Sequence, residues 1–236
     1  MTESTEKRGK HRPQALAERV YHQLKSDIFE FRLMPGDRFS ESEIAERMDV
    51  SRTPVRQALF WLEHEGYVEV WFRSGWQVRP FDFAYFEDLY DLRIVLECEA
   101  LRRLCTHSAA ALRTELRDLI AFWINAPRLA EGQAVSPWDE AFHTRLVALA
   151  GNAEMTRIHA ELSEKIRIIR RLDFTKGPRV EATYHEHAHI LHALLQHDVE
   201  EAQRILIQHI AESKAEVRNI TLHMLQQARH NTTEIQ

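Results

Sequence analysis

The pentapeptide HEHAH, His185 to His189, fits the H-E-x-x-H pattern. In that pattern two imidazoles one helical turn apart hold zinc, and the carboxylate between them serves as a general base. Helical periodicity tests the match. Along EATYHEHAHILHALLQHD, His187 shares a stripe with Ile190, Leu191 and Leu194, whereas His185, His189 and His192 face the opposite way. A zinc peptidase needs both motif histidines on its cleft, and the place of a third zinc histidine is taken by Leu195. The literal match is read as accidental. Other ligand-type residues do lie on apolar faces. Asp139 and His143 are four apart, and His143 shares its stripe with Leu146, Val147 and Ala150. His209 lies with Ala202, Ile205, Leu206, Val217 and Ile220. Asp139, His143, His187 and His209 together make three imidazoles and one carboxylate, a set that suits Zn²⁺, Ni²⁺ or another divalent ion. The alternative is four separately satisfied core residues. His159, near Met155, Leu162 and Ile166, reads as core or as a group standing behind the ligands.

Two arginine constellations carry other chemistry. Arg93 and Glu97 sit in one stripe with Phe86, Leu89, Leu96, Ala100 and Leu104. Buried charge must be paired, so this is either a structural ion pair or an arginine available to a ligand carboxylate. Arg52 and Arg56 share a face near the start of a helix in SRTPVRQALFWLEHEG. Arginine pairs with guanine O6 and N7 in the major groove. Ser51, Thr53 and the first amides of that helix suit phosphate, and Arg73 suits DNA backbone or minor groove.

The elements that must position these groups are mostly helices. Leu16, Val20, Leu24 and Ile28 recur at four-residue intervals, and MPGD breaks the chain after them. Ser40 and Glu43 form a capping box for a short helix with Ile44 and Met48 inward. Ser51 caps the next helix, Pro54 sits in its first turn, and Gly66 ends it. YVEVWF, RSG and WQV then read as a hairpin. Two helices joined by a short turn and followed by a wing are a DNA-binding layout. After Pro80, helices are expected over about 83–104 and 109–124, then a loop holding Pro127, Gly132 and Pro137. Further helices are expected from the cap and proline of SPWDEAFHTRLVALAGN, through 181–198, and over about 199–225.

Composition agrees with this reading. The 236 residues hold 44% apolar side chains and only 7 Gly and 7 Pro, which favours a mainly α protein. Net charge is −5, yet residues 1–80 carry 13 basic and 13 acidic groups, so basic groups of a nucleic-acid surface must be clustered there. Cys98 and Cys105 read as reduced cytosolic thiols. No apolar run reaches the ~18 residues of a membrane span, and MTESTEKRGKHRPQ lacks a signal-peptide core. The expected location is cytoplasmic.

The run EIAERMDVSRTPVRQALFWLEHEGYVEV, residues 43–70, resembles the winged helix of the GntR family of bacterial regulators, through SRTPVR and the L-E-x-x-G-Y-V exit. Gln57 stands where an acidic residue is usual, and Trp71 and Trp76 make an aromatic wing; these departures bear on base preference, not on fold. D-x-x-F-H with L-A-G-N (139–152), E-H-x-x-I-L-x-A-L (186–194) and Q-H-I (208–210) resemble the FCD domain of the FadR branch. The expected organisation is a tail at 1–12, a winged helix-turn-helix at 13–80, an all-α FCD-like domain at 81–230 and a tail at 231–236. The resemblance implies a homodimer on a palindromic double-stranded DNA operator, with a small effector, commonly a carboxylate. It also implies a divalent metal held by Asp139, His143, His187 and His209; Arg93 is the candidate second effector contact, because guanidinium pairs bidentately with carboxylate. The expected function is transcriptional regulation, with repression relieved by ligand the commoner outcome. The alternative is a metal-dependent hydrolase with an accessory DNA-binding module; a third reading makes the metal purely structural.

Overall fold

A computed structural model describes residues 6–72, 75–129, 131–174, 177–220 and 225, with the side chains of 6–13, 133 and 173 left aside. The chain divides after Phe81 into two compact units, each with its own core.

In the first unit, α1 (Glu6–Phe29) buries Ala17, Val20, Leu24 and Ile28. It begins at Glu6, so residues 6–12, expected as tail, are helical. α2 (Glu41–Arg47) opens with the anticipated capping box: Ser40 Oγ accepts from Glu43 N at 3.2 Å, and Glu43 accepts from Ser40 N at 2.6 Å. Met48 falls at the C-cap and is half-buried rather than inward. α3 (Arg52–His64) starts after Ser51, which has extended backbone but makes no side-chain capping bond. The Ser51 hydroxyl therefore does not cap the helix as expected; Pro54 removes one amide that would otherwise need capping. α3 packs on α1 through Val55, Ala58, Leu59 and Leu62.

The wing pairs β2 (Val68–Trp71) with β3 (Gly75–Val78) in antiparallel register, Val70 opposite Trp76. A third strand that periodicity could not reveal, β1 (Arg38–Phe39), lies on the other side of β3, Phe39 opposite Trp76. Two residues are too few for a period-2 signal. Gly36, at φ 91°, makes the turn into β1 and donates its N–H to Val78 O at 2.9 Å. Arg73 lies outside the described residues.

The second unit is all helical: α4 (Phe83–Leu104), α5 (Ala109–Glu115), α6 (Arg117–Ile120), a π-helical turn Ala121–Asn125, α7 (Gly132–Leu149), α8 (Ala153–Asp173), α9 (Gly177–Leu195) and α10 (Val199–Val217). α4 packs against α10, α7 and α8, and α9 against α10 and α7. Asp82, Ser108, Asn152 and Asp198 cap α4, α5, α8 and α10 with side-chain oxygens, each such cap stabilising by ~1 kcal/mol.

The expected start of α7 at Ser136-Pro137 is corrected. The helix begins at Gly132 and carries Pro137 within it. Pro137 there removes one intrahelical hydrogen bond and crowds the carbonyl four residues before it, a cost the surrounding packing must offset. Gly132 is required by close approach, since a Cβ there would collide with the Phe174 carbonyl oxygen. α10 ends at Val217, short of the expected Leu225.

Candidate functional site

In the first unit, Arg52 and Arg56 occupy successive turns at the start of α3 and are exposed, with Ser51 and Thr53 beside them. They are not independent groups. Both converge on Glu41, the first residue of α2, which is 8% exposed. Arg56 donates Nε and Nη2 to its two oxygens, each at 2.8 Å, and Arg52 Nη2 donates at 3.0 Å. Arg56 foremost, then Arg52, overcome burial and pull the Glu41 carboxyl down to about 2. The Nε–Nη2 edge of Arg56 is therefore occupied by Glu41. Sequence spacing identified the two arginines and missed Glu41, which lies eleven residues before Arg52 on a different helix.

In the second unit, Asp139 and His143 on α7, His187 on α9 and His209 on α10 come together, all buried. Their ligand atoms lie within 4.8 Å of one another. His143 Nε2 is 3.2 Å from His209 Nε2, and Asp139 Oδ1 is 3.3, 3.6 and 3.9 Å from Nε2 of His187, His143 and His209. Bonds of ~2.1 Å to a shared ion put neighbouring ligand atoms ~3–4 Å apart.

The proton positions follow from the partners. His143 Nδ1 lies 2.6 Å from Glu97 Oε2, and His209 Nδ1 lies 2.6 Å from Glu186 Oε2. An ionised carboxylate only accepts, so His143 donates Nδ1–H and leaves Nε2 bare; His209 Nδ1 also has Arg179 Nη2 at 2.9 Å, and the closer Glu186 oxygen at 2.6 Å selects the same tautomer there. Two bare lone pairs 3.2 Å apart repel unless a cation lies between them. Asp139 Oδ1 and both nitrogens of His187 are buried with no hydrogen-bond partner. Burial pushes His187 and His209 well below the usual histidine range, so both rings are neutral donors of electron pairs. Burial would raise Asp139, but Arg170 beside it, with His143 and His187, holds it well below the carboxylate range. The four residues thus fit a divalent cation by geometry, by protonation and by their orphaned atoms. The His187 ring is fixed by stacking on Phe142 at 3.8 Å and by the edge of Trp123 at 4.2 Å, on the π-helical turn.

Behind the ligands stands a set of supporting groups, among them His159, which the sequence left as core or as such a group. His159 is tied to the cluster: its Nε2 lies 2.9 Å from Glu97 Oε1, and Glu97 holds His143. Glu186, the carboxylate within the H-E-x-x-H match, reaches across to His209 on α10. It also accepts from Arg179 Nη1 at 2.8 Å, and so is an orienting group rather than a free general base. Arg93 Nε donates to Glu97 at 2.6 Å, the ion pair of the first reading, and its Nη2 is buried with no hydrogen-bond partner. Burial would raise the Glu97 carboxyl, but Arg93, with His143 next, holds it well below its usual range. His185, His189 and His192 are exposed, as the helical stripe required.

Comparisons with known proteins agree with both units. The family model for the FCD domain matches residues 88–212, and that for bacterial regulatory proteins of the gntR family matches residues 16–78. The Nta operon transcriptional regulator of Aminobacter aminovorans is 31% identical over 180 residues, covering 76% of this chain and 84% of that one. The HTH-type transcriptional repressor RspR of Escherichia coli K12 is 26% identical over 212 residues, covering 88% and 91%. Among solved structures, a GntR transcriptional regulator from Rhodococcus sp. RHA1 shares the fold, with TM-score 0.61 and 22% identity over 87% of this chain and 98% of that one.

Proposed function

This chain belongs to the GntR family of DNA-binding transcriptional regulators and carries an FCD domain, and from that membership we propose that it is a repressor whose helical unit senses a small carboxylate at a metal centre. The observation that carries this reading is the pair of bare Nε2 atoms of His143 and His209, 3.2 Å apart, each with its Nδ1 proton committed to a carboxylate. Asp139, His143, His187 and His209 hold the ion, which is Zn²⁺ or Ni²⁺ by the preference of imidazole. When bound, it supplies two positive charges and a coordination position for an acid oxygen. Glu97 and Glu186 hold His143 and His209 in the ligating tautomer, as carboxylates behind metal-bound histidines do. Arg93 Nη2 supplies a donor to the effector.

The regulator acts as a homodimer on a palindromic operator. Arg52 and Arg56 read bases from the start of α3, while Ser51, Thr53 and Arg73 meet phosphate. Effector binding shifts the population between dimer arrangements that fit the operator differently. No described helix is long and apolar enough to cross a membrane, in keeping with a partner that is DNA.

The test selects an operator from random duplex DNA with the Zn²⁺-loaded protein. Arg52→Ala and Arg56→Ala should each lose ~1–3 kcal/mol for that operator, and His209→Ala should retain DNA binding while losing metal. Unchanged affinity and base preference in both arginine variants would remove them as readers.

A further inference from the structure

The outward face of α3 has an aromatic ring near its centre. With Arg52 set at zero and ~100° per residue, the exposed side chains of α3 span an arc from Arg52 to Gln57 at about 140°. Arg56 falls at about 40°, Phe60 at about 80° and Thr53 at about 100°. Val55, Ala58, Leu59 and Leu62 fill the opposite, buried side. Phe60 therefore points almost directly away from the core, and it is 53% exposed. A phenyl ring left in water forgoes the gain of burial, so its place on this face calls for a partner.

The ring is held in position. It meets Trp76 of β3 edge to face, with centroids 5.8 Å apart and planes at 74°. Val70, opposite Trp76 in the hairpin, is 58% exposed and carries the apolar surface on towards the wing. A ring that only fastened helix to hairpin would be covered by that packing, yet half of it stays open. The arginines stand to one side of the arc, with Arg56 Nε and Nη2 and Arg52 Nη2 already engaged by Glu41. The centre of the face is thus apolar, and its flank is cationic. DNA fits both features better than a protein partner does: the flank suits its charge, and the surface is continuous with the helix start inside the gntR family match at residues 16–78. Among the four bases, thymine alone offers the major groove an apolar group, its C5 methyl.

We propose that Phe60 is a specificity-determining residue that reads thymine through its C5 methyl, so that each operator half-site carries a thymine facing the third turn of α3. This rests on α3 being the helix that enters the major groove, as proposed above. Trp76 is then a positioning residue, which sets the edge of the ring and leaves its open side to the base.

The experiment uses the full chain and the operator selected from random duplex DNA. Each thymine is replaced in turn by deoxyuridine, which removes the methyl and keeps every hydrogen-bonding group, and affinity is read by fluorescence anisotropy at fixed salt. Wild type should bind about fourfold more weakly at one thymine position per half-site, the loss expected when one methyl is no longer buried. Phe60→Ala should bind the thymine and deoxyuridine duplexes equally at that position, and Phe60→Leu should keep most of the difference. Phe60→Gln, which fills the space beside Trp76 with a polar chain, should behave as Phe60→Ala does, and it carries the test if the alanine variant fails to fold. The slope of log K against log salt should not change in any of them, because no phosphate contact is removed. A wild type indifferent to every deoxyuridine overturns the proposal, and so do alanine and glutamine variants that still discriminate. So does a Phe60→Ala variant that changes oligomeric state while the wild type ignores the methyl, which would assign the ring to a protein contact. If the methyl effect is missing while Arg52→Ala and Arg56→Ala lose affinity in the same assay, the Phe60 proposal falls alone and α3 stands as the reading helix. If the arginine variants also bind unchanged, both fall.

Discussion

Replacing Glu41 by Gln should move specific and nonspecific DNA binding in opposite directions. The wild-type carboxylate accepts three hydrogen bonds, two from Arg56 and one from Arg52. The arginine side chains are 52% and 59% exposed, so water screens the pairs and their direct contribution to folding is modest. The larger effect is on recognition. Glu41 holds both guanidiniums, and in the proposed DNA complex it would set one negative charge near the phosphates. Its removal frees the arginines to follow any phosphate. Nonspecific affinity should rise, and the slope of log K against log salt should steepen by ~0.9 for each added phosphate contact. Discrimination at the bases the arginines read should fall by ~1–3 kcal/mol per lost bidentate pair. Fluorescence anisotropy with the selected operator and a scrambled duplex, over a salt series, measures both quantities. A Gln variant with the wild-type specificity ratio and salt slope would refute the argument that Glu41 aims these arginines. The pair also has a pH signature. The folded carboxyl titrates at about 2 against an ordinary 4.5, so its stabilisation is complete above 4.5 and is lost as pH falls towards 2. The urea-stability gap between wild type and the Gln variant should shrink over that window and stay constant above it.

Glu97→Gln should lower Zn²⁺ affinity by ~10–100-fold, the usual cost of losing a carboxylate behind a metal-bound histidine. Competition with a calibrated chelator measures it, and unchanged affinity would mean that Glu97 does not orient His143. The same change leaves Arg93 buried without its anion, so urea unfolding should show a loss of ~3–5 kcal/mol. The double change His185→Ala with His189→Ala should leave metal content intact and stability within ~0.5 kcal/mol, as for exposed sites. Metal loss in that variant would return the H-E-x-x-H reading.

What the sequence made legible, and what it did not, follows the reach of periodicity. The 3.6-residue stripe separated His187 from His185 and His189, and it brought Asp139, His143 and His209 to inward faces. Local chemistry marked Ser40 with Glu43 as a capping box because both partners are three residues apart. Contacts between helices left no such mark. Glu41 meets Arg52 and Arg56 across a turn, Glu97 meets His159 over 62 residues, and Glu186 meets His209 from a neighbouring helix. Glu186 lies outside the buried stripe of its own helix, and its side chain is long enough to reach the next one. The start of α7 was misplaced because Ser-Pro is a strong start signal in isolation. There the packing of Gly132 against Phe174 decides instead.

The most direct measurement is the metal content of the full chain, purified with Zn²⁺ or Ni²⁺ present and then dialysed free of loose ions. Elemental analysis should find about one ion per chain for wild type, by the count of a single converging ligand set, and almost none for His187→Ala and His209→Ala. A wild type without metal, or both variants retaining it, would show that Asp139, His143, His187 and His209 are core residues and that the sensing account is wrong.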